Sequence, residues 1–139
     1  MPVSTRLNPY LAFDGNARHA MEFYAHVLDG RLAMNTWGEF RGEDFADADR
    51  IGHAVLETDA GYTLMAGDIT SDSDYQPIAS ASVSISGDEA NRLRRYWQDL
   101  SEGGTITMPL QRQAWGDEFG MLTDRFGVSW MINISQPAT

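Results

Sequence analysis

The chain has 139 residues, enough for one compact domain or for two half-size units sharing a core. Hydrophobic residues make up 42% and charged residues 22%, as in an ordinary globular protein, and no apolar run approaches the roughly 18 residues of a membrane span. The net charge of −10 argues against nucleic acid as a partner, and the lack of cysteine excludes disulfides, zinc-thiolate sites and a thiol nucleophile and is compatible with the cytoplasm.

The start, Met1 to Asn8, has no basic region leading into an apolar stretch, so no signal peptide is expected. A first strand is predicted over Leu7–Phe13. Apolar spacing at Ala17, Ala20, Met21, Tyr24, Val27 and Leu28 predicts a helix, with Asn16 as N-cap and Gly30 as its stop. Strands follow at Arg31–Trp37, His53–Thr58 and Tyr62–Gly67. Glu39–Asp49 and Asp68–Asp74 read as acidic, solvated loops. The second half repeats the order: strand Ser80–Ser86, helix Glu89–Ser101 capped by Asp88, then strands Thr105–Gln113, Phe119–Thr123 and Val128–Ile134. Its helical stripe is Ala90, Leu93, Trp97 and Leu100.

The halves are related by a fixed offset. Ala17 and Ala90, Ala20 and Leu93, Tyr24 and Trp97, Val27 and Leu100, and Gly30 and Gly103 are each 73 residues apart. The last hairpins also match, Thr58–Gly61 against Thr123–Gly127, both polar turns ending in glycine. The expectation is an α+β protein of two tandem βαβββ units, about 6–70 and about 78–135, within a single domain spanning 1–139. One helix covers only one face of a four-stranded sheet. Two such units are therefore expected to pair, leaving a curved mixed sheet around a cleft.

Asn8-Pro9-Tyr10-Leu11-Ala12-Phe13, Gly15-Asn16-Ala17-Arg18, His53-Ala54-Val55-Leu56 and Leu64-Met65-Ala66-Gly67-Asp68 stand in the first half. Met108-Pro109-Leu110, Trp115-Gly116, Phe119-Gly120 and the run Asp124 to Asn133 stand in the second. Over nearly its whole length the chain resembles the PhnB-like branch of the glyoxalase/bleomycin-resistance (vicinal oxygen chelate) superfamily. The resemblance implies the paired βαβββ fold and a homodimer. Family members also carry a 3-demethylubiquinone methyltransferase-like label. The sequence offers that chemistry no glycine-rich loop after a strand with an acidic residue downstream, as a nucleotide-like cofactor would need.

Metal-using members of the superfamily hold a divalent ion with inward-facing histidine, glutamate or glutamine. The corresponding positions here fall at Pro9, Met65, Ala81 or Ser82, and Met131. None is a good ligand for zinc, nickel or iron. No metal and no other cofactor is therefore expected. His19, Glu22 and His26 share the helix face opposite the core stripe and read as a surface cluster.

Without a metal, the candidate ligand-binding residues are Tyr10, Trp37, His53, Met65, Trp115, Phe119, Trp130 and Met131, any of which can instead fill a core. Ser82, Ser84, Asp117 and Asn133 are further polar candidates. His53 and Glu57 are the weak catalytic candidates, with Ile51 and Val55 expected on the same strand face. Trp115-Gly116-Asp117 and the stretch Gly38–Arg50 are the two segments able to cover a cleft mouth. No serine sits in a glycine-flanked elbow, and Asp14 with Gly15 and Asp124 with Arg125 read as turn and capping residues.

Three readings stay open. The first is metal-free binding of a small aromatic or amphipathic molecule. The second is an enzyme, using acid/base chemistry through His53 and Glu57 or a metal held elsewhere. The third is a dimeric interaction module with a filled interior. The expected partners are a small-molecule ligand and a second copy of the chain, with neither nucleic acid nor membrane.

Overall fold

Periodicity and turns translate into two four-stranded mixed sheets, each carrying one long helix. The computed structural model describes residues 5–77 and 80–136. The expected start of the second unit near Ile78, and the beginning of the Met1–Asn8 stretch, lie outside the described residues. The chain divides into two compact units, Met1–Gln76 and Pro77–Thr139.

In the first unit, β1 (Tyr10–Phe13), α1 (Ala17–Leu28), β2 (Gly30–Thr36), α2 (Trp37–Arg41), β3 (Ile51–Thr58) and β4 (Thr63–Asp68) give the sheet order β1-β4-β3-β2. β1 lies parallel to β4, and the other pairs are antiparallel. Ala17, Ala20, Met21, Tyr24, Val27 and Leu28 of α1 are buried, together with Ala54 and Leu56 of β3 and Leu64 and Ala66 of β4. The predicted helical stripe is therefore the core stripe.

β1 starts at Tyr10 rather than Leu7, which is fully exposed. Pro9 has no N–H for the ladder, although its carbonyl accepts from the Met65 N–H. Trp37 does not end a strand; it opens α2. The Thr36 hydroxyl accepts from the Glu39 N–H at 3.1 Å while the Glu39 carboxylate reaches back to the Thr36 N–H, a capping box that turns the chain into a helix. The stretch after Arg41 is likewise not an open loop. Trp37 and Gly38 donate back to the carbonyls of Arg50 and Ala48 at 2.8 and 2.9 Å, closing it into a folded arm.

Asn16 makes no side-chain cap. Asp68, at the end of β4, takes that role from 51 residues away: its Oδ1 accepts from the N–H groups of Ala17 and Gly15, each at 2.9 Å, and its Oδ2 from Ile51 at 2.9 Å. Gly30 is not the helix stop either. Asp29 adopts the left-handed conformation (φ 54°), and Gly30 already lies in β2, where a Cβ would stand 2.7 Å from the Leu56 side chain.

In the second unit, β5 (Val83–Gly87), α3 (Ala90–Ser101), β6 (Thr105–Arg112), β7 (Glu118–Thr123) and β8 (Ser129–Ile134) repeat the order as β5-β8-β7-β6. Ile85, Leu93, Tyr96, Leu100, Leu122, Trp130, Ile132 and Ile134 form its core. The buried aromatic of α3 is Tyr96, whereas Trp97 is half-buried. The Trp97 indole lies where a Cβ on Gly120 of β7 would sit, 2.6 Å from its ring edge, so the missing side chain makes room for the ring. The hairpins before β4 and β8 superpose with Thr58 matching Asp124, not Thr123. Thr58 and Asp124 each donate N–H to a residue four on, Tyr62 and Val128, and each takes that residue's N–H on a side-chain oxygen.

Candidate functional site

Strand parity sorts the first sheet into two faces. Ala54, Leu56 and Thr58 point to the buried side, and His53, Val55 and Glu57 to the other. Ile51 does not join His53 as expected. The β2–β3 register slips between Asn35 and Thr36, so that Gly52 is an extra residue and Ile51 returns to the buried side, 1% exposed. Tyr10 and Val55 both pair with Met65, which puts these three on the His53 face.

On this face the Tyr10 hydroxyl and His53 Nδ1 are 3.2 Å apart, with the rings stacked at 5.6 Å. Partial burial holds the Tyr10 phenol above its usual value of 10.0. Glu57 shares the face but stands four residues along the strand from His53, about 13 Å at the ordinary strand rise. It is exposed, so the two do not form an acid/base pair.

Beside Tyr10 an open pocket of about 370 Å³ is lined by Tyr10 and Ala12 of β1, Trp37 and Arg41 of α2, Gly52 of β3, Gly67 and Asp68 of β4, and Ile69, Thr70 and Ser73 beyond it. The two glycines admit aromatic rings. A Cβ on Gly52 would stand 2.6 Å from the Phe40 ring, and one on Gly67 would stand 2.7 Å from the Tyr10 hydroxyl. The Trp37 indole N–H donates to the Asp68 carbonyl at 3.0 Å, fixing that wall. Phe40 and Phe45 pack against Trp37 at 6.4 and 6.1 Å, and the Arg41 guanidinium lies over the rings of Trp37 and Phe45 at 5.4 and 5.5 Å.

The folded arm is tied to the segment after β4. The Ser71 N–H and hydroxyl both donate to Asp47, at 2.9 and 3.0 Å, and Arg50 bonds both Asp14 and the Ile69 carbonyl. The Ser71 N–H is the main reason the Asp47 carboxyl lies below its usual value.

Of the sequence candidates, Tyr10 and Trp37 line this pocket, His53 supports Tyr10, and Met65 is half-buried on the same face. The second unit holds the others. Met131, Phe119 and Asn133 are half-buried, and the register pairs Met131 with both Met121 and Ser84. Asn133 donates to Asp117 at 3.1 Å, and Ser82 and Ser129 share a hydrogen bond of 2.7 Å. Trp115 lies in the turn before β7, 62% exposed, edge-on to Phe119 at 5.9 Å. Trp130 is no wall residue. It is 1% exposed within the second core, and its indole N–H donates to the buried Asp124 carboxylate at 2.8 Å. Even-numbered β8 residues face α3, so the strand period decides its side.

Sequence reasoning missed Arg41, Gly52, Gly67, Thr70 and Ser73. A glycine inside an apolar strand was a usable signal at Gly52 and Gly67. Arg41 stood alone among acids at Glu39, Glu43, Asp44 and Asp47, a contrast equally usable.

The positions that would hold a superfamily metal do not suit one. Pro9, Ala81 and Ser82 bring no imidazole or carboxylate, and Met65 and Met131 bring only thioethers. Among the described residues no three histidine, aspartate or glutamate side chains converge as a metal cluster, and His19, Glu22 and His26 are exposed. The β1–α1 turn does not suit a nucleotide-like cofactor, since the Gly15 and Ala17 N–H groups are both taken by Asp68. Among the described residues no helix is long and apolar enough to cross a membrane.

A family model described as 3-demethylubiquinone-9 3-methyltransferase matches residues 5–133. The chain is 31% identical to Protein YjdN of Escherichia coli over 138 residues, covering 92% of this chain and 94% of that protein. Its structure is similar to that of protein PA1353 from Pseudomonas aeruginosa, with 39% identity, a TM-score of 0.86, and 96% of this chain and 100% of that chain covered. The fold alone is shared with the PhnB protein from Bacillus cereus (22% identity, TM-score 0.73, 94% and 100% covered). The same holds for a glyoxylase/bleomycin resistance protein/dioxygenase domain from Frankia sp. (13% identity, TM-score 0.66, 97% and 100% covered). Two βαβββ units in tandem, matched along their length by the family model and by these relatives, place the chain in the 3-demethylubiquinone-9 3-methyltransferase family, with a fold it shares with the PhnB protein and the glyoxylase/bleomycin resistance protein/dioxygenase domain.

Proposed function

We propose that this protein binds a small aromatic or amphipathic molecule without a metal, in the pocket beside Tyr10 and Trp37. The observation that carries the reading is the construction of that pocket. Two aromatic walls meet over strand positions kept free by Gly52 and Gly67, and a few polar groups stand at the rim. Apolar walls with sparse polar groups are the usual make-up of a small-molecule site. The donor-poor residues at the superfamily's metal positions support the metal-free form. A cytoplasmic homodimer is part of the same proposal.

The test uses tag-free protein. Elemental analysis and native mass spectrometry give its metal content and assembly, and 2-naphthol is then titrated before and after chelator treatment, followed by tryptophan fluorescence. Saturable binding that is unchanged by the chelator, on a metal-free dimer, is expected. About one bound divalent transition metal per chain, with binding lost on chelation, overturns the reading.

A further inference from the structure

We infer that the pocket selects an aromatic ligand carrying an anionic group, with Arg41 as the residue that reads the charge. This rests on the pocket being a small-molecule site and names the class of molecule it takes.

The chain contains ten arginines and lysines together, and the sequence has no lysine, so every fixed side-chain cation is a guanidinium. Several of the others have polar partners. Arg31, Arg50, Arg92 and Arg94 pair with carboxylates, and Arg6 and Arg125 bond a threonine hydroxyl and a main-chain carbonyl. Arg41 is different. It lines the pocket and rests on the rings of Trp37 and Phe45, and among the described residues it has no carboxylate or carbonyl partner.

Its isolation is not for want of acids. Glu39 is held by Asn35 and the Thr36 cap, and Asp47 by Ser71 and Arg50. The one acid lining the pocket, Asp68, has both carboxylate oxygens occupied by the N–H groups of Gly15, Ala17 and Ile51. Asp72, next to the rim, accepts from the Thr70 hydroxyl at 2.5 Å. Glu39, Asp47, Asp68 and Asp72 are thus engaged by other groups, and Glu43 and Asp44, two and three residues on, make no ion pair with Arg41 among the described residues, so its fork of donors is left for a ligand. Contact with two aromatic rings limits the freedom of the planar group, which lowers the ordering cost of a bidentate bond to a carboxylate or sulfonate. On a chain of net charge −10, a placed guanidinium gives an anion its local attraction.

The test compares two isosteric probes, 2-naphthoate and the neutral 2-naphthamide, titrated into the full-length protein and followed by the Trp37 indole N–H resonance. Naphthoate is expected to bind about tenfold or more tightly than naphthamide, as a charge-assisted hydrogen bond gives. Arg41→Gln is expected to remove that preference. Arg41 is exposed, so the variant should keep its fold, checked by an unchanged amide spectrum. If both probes bind equally well and Arg41→Gln alters neither, the charge selection is wrong while the aromatic pocket stands. If neither probe shifts Trp37 at millimolar concentration, the pocket itself is not a ligand site, and both readings fall.

Discussion

The indole N–H of Trp37 donates to the main-chain carbonyl of Asp68 at 3.0 Å. This single bond joins α2 to the end of β4 and sets the distance between two walls of the pocket. Trp37→Phe keeps a ring but removes the donor. It should cost about 1 kcal/mol in urea unfolding, the usual net worth of one hydrogen bond. Trp37→Leu should also remove the stacking surface and weaken 2-naphthol binding at least about fivefold. Unchanged binding in both variants would show that α2 is not part of the site.

Asp68 predicts a larger effect. It is 5% exposed and satisfies the N–H groups of Gly15, Ala17 and Ile51. Asp68→Ala leaves all of them without a partner and uncaps α1. The expected loss is about 2–4 kcal/mol, with Asp68→Asn intermediate. Equal stability of Asp68→Ala and the parent chain in thermal unfolding would contradict the capping role.

The arm carries a pH dependence. The Asn35 amide, the Thr36 N–H and the Thr36 hydroxyl together hold the Glu39 carboxyl below its usual 4.5. A depressed carboxyl contributes stability above its unfolded value and loses it as the pH falls through the folded one. The cap of α2 should therefore loosen on acidification below about pH 4.5, the usual value cited for this carboxyl. It is visible as movement of the Glu39 and Trp37 amide resonances. Glu39→Gln should abolish that acid-induced movement, and its persistence would assign the change to another group.

Gly120 tests the second unit. A Cβ there would stand 2.6 Å from the Trp97 ring and 2.8 Å from the Leu110 Cα, so both a side chain and the backbone resist it. Gly120→Ala should cost about 1–3 kcal/mol by overpacking. The double variant Gly120→Ala with Trp97→Leu should recover part of that loss, and no recovery would place the strain at Leu110 alone.

Much of the architecture was legible because both halves obey the same local rules. Helical spacing from Ala17 to Leu28 and strand alternation in β3 and β8 report a buried side directly. What escaped depended on contacts distant in sequence. Asn16 has the right chemistry for a cap, but Asp68 reaches the same N–H groups across the sheet. Ile51 was assigned to the wrong face because one extra residue at Gly52 inverts strand parity, and nothing local marks a bulge except the glycine. Tyr96 and Trp97 are adjacent aromatics, and only the space over Gly120 decides which is half-buried. At the site, Tyr10, Trp37 and His53 were readable as aromatic and polar candidates. Arg41 was marked in the sequence only as a lone cation among acids, and its place in the pocket emerges only when α2 is seen folded beside the end of β4.

The most direct test of metal-free aromatic binding follows the indole N–H resonances of the four tryptophans during 2-naphthol titration of chelator-treated, tag-free protein. A saturable shift of Trp37, with the buried Trp130 unmoved, is the predicted result. No shift of Trp37 until zinc or nickel is added would contradict it.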